Sequence, residues 1–172
     1  MICPKCNQTV GTPSAEGCCP LCGFEVAPFQ RQVTMLYVLG FGFFMSVLVY
    51  GLLVYILETT SKPIHPAVTG ASWLPYAMLL LAVLVFGFGQ RVGKRLSLAT
   101  SAEAVRKLYI IKLALCESIA VMGLLLYFLT GSLQSFGVFL GLSLLALLIA
   151  GSQLPAIVAR LAELSVRAGG DE

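Results

Sequence analysis

From residue 33 onward the chain is a succession of apolar runs separated by short polar or basic breaks. Each run is close to the ~20 apolar residues that a helix needs to cross a bilayer. The first covers 33–57 and is closed by Glu58 and the breaker string Thr59, Thr60, Ser61, Lys62 and Pro63. The second, shorter, covers 73–89; Ser72 is its expected N-cap, Pro75 falls in the first turn, and Trp73 and Tyr76 stand where aromatic rings favour a lipid interface. The third covers 108–130. Its helix is expected to begin earlier, because Thr100 and Glu103 have capping-box spacing, and to stop at Gly131. The fourth covers 133–155, and the lost donor and ring clash of Pro155 predict a kink there, followed by an amphipathic stretch over 156–166.

Composition turns these runs into a fold class. Of the 172 residues, 58% are hydrophobic and 11% charged, against about 25% charged in ordinary soluble domains, and the mean hydropathy is +0.92. A soluble enzyme is excluded. The reading is an all-α membrane protein: four transmembrane helices within residues 31–172, preceded by a small module over 1–30. Residues 1–30 have neither the basic start nor the apolar core of a secretory signal, so the spans themselves are expected to direct insertion.

The formal net charge is +3, and its distribution matters more than its size. Lys5, Arg31, Arg91, Lys94, Arg95, Arg106, Lys107, Arg160 and Arg167 fall to one side of a four-span arrangement, and Lys62 to the other. Cytoplasmic loops hold the excess of Lys and Arg. Both termini are therefore expected in the cytoplasm, in a plasma or inner membrane. The basic positions are expected to meet anionic lipid headgroups; no aromatic interleaving accompanies them, which excludes nucleic acid as a partner.

Five of the six cysteines lie in the first 22 residues. Cys3 and Cys6 form CPKC, and Cys19 and Cys22 form CPLCG, with twelve residues between the pairs. Four thiolates so paired can close a tetrahedron around Zn²⁺, each CxxC turn aiming backbone amides at the sulfurs while the next residue bends the chain. Gly23 serves the second turn and Asn7 the first. Cys18, adjacent to Cys19, leaves the register on that side open. About thirty residues hold too little core to fold unaided, so metal is expected to supply most of the folding free energy, about 10–16 kcal/mol apparent for structural zinc. Disulfides would need an oxidising compartment; a rubredoxin-type iron centre would use the same four ligands. The segment resembles the zinc ribbon family, which implies a metal held by Cys3, Cys6, Cys19 and Cys22.

Within the third run, Glu117 lies about 13 Å beyond Leu108 along the helix, near the middle of a core about 30 Å thick. A carboxyl at that depth without a cation is expected to be neutral and to donate a hydrogen bond. Lys112 is expected to snorkel to the nearer surface, pointing away from Glu117. Ala114 and Ala120 would let a neighbouring helix approach, and Ser118, Ser143, or Ser46 with Tyr50, stand at suitable depth as partners. The stretch ALCESIAVMGLLLYFLTG resembles the carboxylate helix of the rotary ATPase c subunit. That resemblance implies a hairpin of the second and third spans, Glu117 as a proton or sodium site, Ser118 as accessory ligand and a homo-oligomer.

No serine–histidine, acidic-pair or phosphate-loop motif appears, and the single His65 falls beside Pro66 in a loop. The leading expectation is a non-enzymatic membrane protein whose cytoplasmic zinc module binds a protein partner in the assembly or regulation of a membrane complex. An ion-translocating oligomer using Glu117 stands second, and a membrane-anchored redox protein with iron at the four thiolates third.

Overall fold

The computed structural model describes Cys3, Lys5, Cys6, Gln8 and residues 18–23, 25–60 and 73–168, leaving out the side chains of Ser97 and Ala168. Among these residues the architecture is all-helical: α1 (Val26–Thr60), α2 (Leu74–Leu98), α3 (Ala102–Thr130), α4 (Leu133–Ser152) and α5 (Leu154–Ala168). Four stretches are long and apolar enough to cross a membrane, Val26–Thr60, Leu74–Leu96, Ala102–Thr130 and Leu133–Arg167. The chain is thus a multi-pass membrane protein. Many of these residues are β-branched or aromatic and would be indifferent helix formers in water; in hydrocarbon every backbone group must be satisfied within its own segment, which makes helix the available solution.

The helices extend beyond the apolar runs that announce them. α1 begins at Val26 rather than at 33, inside the expected N-terminal module, and α2 continues through Arg91, Lys94 and Arg95 to Leu98. Those three basic residues therefore belong to a helix, and Arg106 and Lys107 to the next; the connection between α2 and α3 is Ala99–Ser101. The physical reason is that Val92 and Leu96 remain buried after the apolar run has ended, so the basic turn is held by packing. The expected cap of α3 shifts by one residue. Ser101, not Thr100, accepts the Ala104 N–H at 3.2 Å, and Glu103 pairs with Lys107 at 2.6 Å instead of closing a capping box. Gly131 ends α3 as expected, in the left-handed conformation with φ 66° and its N–H on Tyr127 O. The break at Pro155 is also present: α4 stops at Ser152, Gln153 forms the turn, and Pro155 lies in the first turn of α5, where its missing N–H is harmless. Ser72, His65 and Asn7 lie outside the described residues.

Contacts between named residues give the directions. Ser46 and Tyr50 of α1 meet Glu117 and Glu58 meets Tyr127, so α1 and α3 run parallel. Ser143 meets Cys116 and Gln153 meets Lys112, so α4 runs against α3; Gly93 faces Lys112 while Ala82 clusters with Ile119 and Leu126, so α2 does too. The bundle is up-down-up-down around a central α3, whose Tyr109, Leu113, Ile119, Leu126 and Tyr127 are buried. α1 docks along one narrow seam, Leu36, Gly40, Phe43, Val47, Tyr50 and Val54, with the alternating three- and four-residue spacing of knobs-into-holes contact. Much of the rest of α1, including Val38, Phe41, Leu52 and Tyr55, is exposed, as suits a helix surrounded by lipid.

Candidate functional site

The four predicted cysteines come together. The sulfurs of Cys3, Cys6, Cys19 and Cys22 all lie within 4.8 Å of one another, and no other such group of metal-binding side chains occurs among the described residues. Cys3 Sγ stands 3.6 Å from Cys22 Sγ and Cys6 Sγ 3.8 Å from Cys19 Sγ. Bonds of about 2.3 Å from a central metal to four tetrahedral sulfurs give sulfur–sulfur edges of about 3.8 Å. The group can therefore hold a metal ion with little rearrangement. All six cysteines are free of disulfide bonds.

The local chain explains the geometry. Gly23 takes a positive φ of 69° and donates its N–H to Cys19 O at 2.9 Å, closing the second CxxC turn as its place after Cys22 predicts. Cys3 and Cys19 are buried with Val26, the first residue of α1. Burial works to raise the Cys3 thiol, but the backbone amides of Cys6 and Lys5, with the thiols of Cys22 and Cys19, outweigh it and bring the group down to about 7. Cys18 stands outside the group of four and forms an antiparallel β-bridge with Glu25. At the tip of the second turn Pro20 is exposed and Leu21 is 62% exposed.

Inside the bundle, Glu117 is met from α1. Both the Ser46 hydroxyl and the Tyr50 hydroxyl, the latter at 3.0 Å, donate to the same oxygen, Oε1. Glu117 thus accepts here. The other two candidate residues do not join it. Ser118 donates to Leu115 O in its own helix, as serines in a helix commonly do, and Ser143 donates to Cys116 O across the α3–α4 contact. Between Ser118, Ser143 and the Ser46–Tyr50 pair, helix packing selects the last.

Two further polar contacts were not foreseen. Tyr127, buried in α3, donates to Glu58 Oε1 at 2.8 Å. The signal was present in the spacing: Glu58 lies about ten residues beyond the middle of the Ser46–Tyr50 pair, and Tyr127 ten beyond Glu117, so two parallel helices match both contacts at once. The second contact corrects an expectation. Lys112 does not snorkel; it is 1% exposed, and its ammonium donates to Gln153 Oε1. Gly93 leaves room for it, and the break after α4 places Gln153 within reach.

Comparisons of the chain with protein-family models, with curated proteins and with solved structures find no match.

Proposed function

We propose that this multi-pass membrane protein carries a structural zinc centre, held by Cys3, Cys6, Cys19 and Cys22 on the cytoplasmic side, and that the centre presents a protein-binding tip for assembly or regulation of a membrane complex. The observation that carries this reading is the packing of the four-thiolate group directly onto Val26. A metal there orders the chain around the start of α1, and four sulfur ligands leave no position for a reactive water. The tip itself, Pro20 and Leu21, is apolar and exposed, suited to contact with another protein rather than with an acidic polymer. On this reading the protein is not an enzyme.

Metal analysis tests the proposal. Purified protein should hold one equivalent of zinc; Cys19→Ser should lose it, and Cys18→Ser should keep it. One equivalent of iron with a thiolate charge-transfer spectrum would instead favour the redox reading. Retention of full metal by Cys19→Ser would reject the ligand set. Leu21→Asp should keep the zinc yet abolish capture of the partner in crosslinking from native membranes.

A second reading rests on the convergence of Ser46 and Tyr50 on Glu117 Oε1. Two hydroxyls around one intramembrane carboxyl resemble a proton or ion site, and intramembrane carboxyls are by default functional candidates. Copies of the chain assembled side by side would then use Glu117 as the exchanging group.

A further inference from the structure

At the end of the bundle where α2 finishes and α5 begins, a groove of about 710 Å³ is lined by Gln90, Gly93, Lys94, Gln153, Ile157 and Arg160. Apolar wall is supplied by Leu96, Ala156 and Ala159. Two donors at this groove lack the acceptors their chemistry calls for. Arg160 Nε is buried with no hydrogen-bond partner, while Nη1 of the same side chain is engaged with Glu163 at 2.8 Å. Lys112 Nζ carries three protons, has Gln153 Oε1 as its hydrogen-bond acceptor, and has no carboxylate within ion-pair distance among the described residues.

Lys112 stands one residue layer behind the groove. A Cβ built on Gly93 would lie 3.1 Å from Lys112 Nζ and 3.8 Å from Gln153 Oε1, and both Gly93 and Gln153 line the groove. A buried ammonium without a counter-charge is expensive in a medium of low dielectric constant. Among the described residues, the groove and its floor set the cations of Lys112 and Arg160 against the one carboxylate of Glu163. An anion seated here would therefore be favoured by charge, and it would meet the accessible part of the Arg160 guanidinium.

We propose that this groove binds an acidic phospholipid, the headgroup phosphate accepting from the accessible part of the Arg160 guanidinium and offsetting the charge of Lys112, with the acyl chains against the apolar wall. The mixed lining argues for an amphiphile. A free phosphate would satisfy the donors but leave the exposed Ala156 and Ala159 uncovered. The site is independent of the metal centre and of Glu117.

Native mass spectrometry of the full-length protein in detergent, titrated with phosphatidylglycerol or with phosphatidylcholine of identical chains, tests this. Phosphatidylglycerol should bind more tightly, and Arg160→Gln and Lys112→Met should each weaken it about fivefold, the effect of one cation near a membrane surface. Glu163→Gln, which removes the competing carboxylate, should tighten binding. Lys107→Gln removes the same charge from an exposed residue of α3 that is paired with Glu103, and should change nothing. Equal binding of the two lipids, an equal loss in Lys107→Gln, or displacement by millimolar inorganic phosphate would overturn the proposal. Should Lys112→Met fail to fold, the partly exposed Arg160→Gln decides alone.

Discussion

Two hydroxyls share one oxygen at Glu117, and that detail determines what its substitutions do. Glu117→Gln retains an acceptor at the position of Oε1, so both Ser46 and Tyr50 keep their partner. A packing carboxyl should tolerate this change with near-normal expression and thermal stability in detergent. Glu117→Leu removes the interhelical acceptor from both hydroxyls, leaving Ser46 the Phe43 carbonyl of its own helix; with interhelical hydrogen bonds in membranes averaging about 0.6 kcal/mol each, the expected loss is on the order of 1 kcal/mol, and Tyr50→Phe should recover part of it. A proton-exchanging carboxyl behaves differently. Wild-type Glu117 would then react with a hydrophobic carbodiimide more readily as pH falls, and Glu117→Gln would fold yet lose function; a fully active Gln variant assigns the group to packing.

The elements owe their arrangement to close approach at a few points. Gly123 of α3 lies against α4 so tightly that a Cβ there would stand 2.5 Å from Phe139 Cβ, an atom that cannot swing away. Gly123→Ala should therefore destabilise by about 1–3 kcal/mol through overpacking. Gly123→Ala should cost less in a Phe139→Gly background, where that Cβ is absent, than in the wild-type protein; a Gly123→Ala protein as stable as wild type would mean that α3 and α4 can separate at no cost. α1 depends instead on its narrow seam and on two carboxyl–hydroxyl contacts, Glu117 with Ser46 and Tyr50, and Glu58 with Tyr127. These lie about 15 Å apart along the helices, which sets the register of an otherwise smooth apolar helix.

At the scale of the molecule, four alternating helices bring the start of α1 to the same end as α5, together with the basic turns of α2 and α3. Lys and Arg retained on the cytoplasmic side predict that this end faces the cytoplasm. Reporter fusions or impermeant thiol labelling at residues 1 and 172 should place both termini there, with the connection between α1 and α2 on the opposite side. An external reporter at one terminus alone would remove one of the four crossings, and at residue 1 it would also move the four-cysteine group out of a reducing compartment.

The four-span plan and the four metal-competent cysteines were legible in the chain because each rests on local information. An apolar run of sufficient length must be helical in lipid whatever surrounds it, and two CxxC turns carry their own backbone geometry through residues such as Gly23. The stop at Gly131 and the break at Pro155 belong to the same class, since each acts on the neighbouring turn. What tertiary structure alone decided is which polar group meets which. Ser118, Ser143, Ser46 and Tyr50 stand at similar depths, and their sequence positions do not distinguish them; the rotation of α1 about its axis does. Depth along the helix suggests that Lys112 snorkels to the surface, whereas a glycine on α2 and a broken turn after α4 provide an interior site for its amine. Hydrophobicity is non-directional and can be summed along a chain, but hydrogen bonds are directional and depend on atoms from three helices arriving at one place.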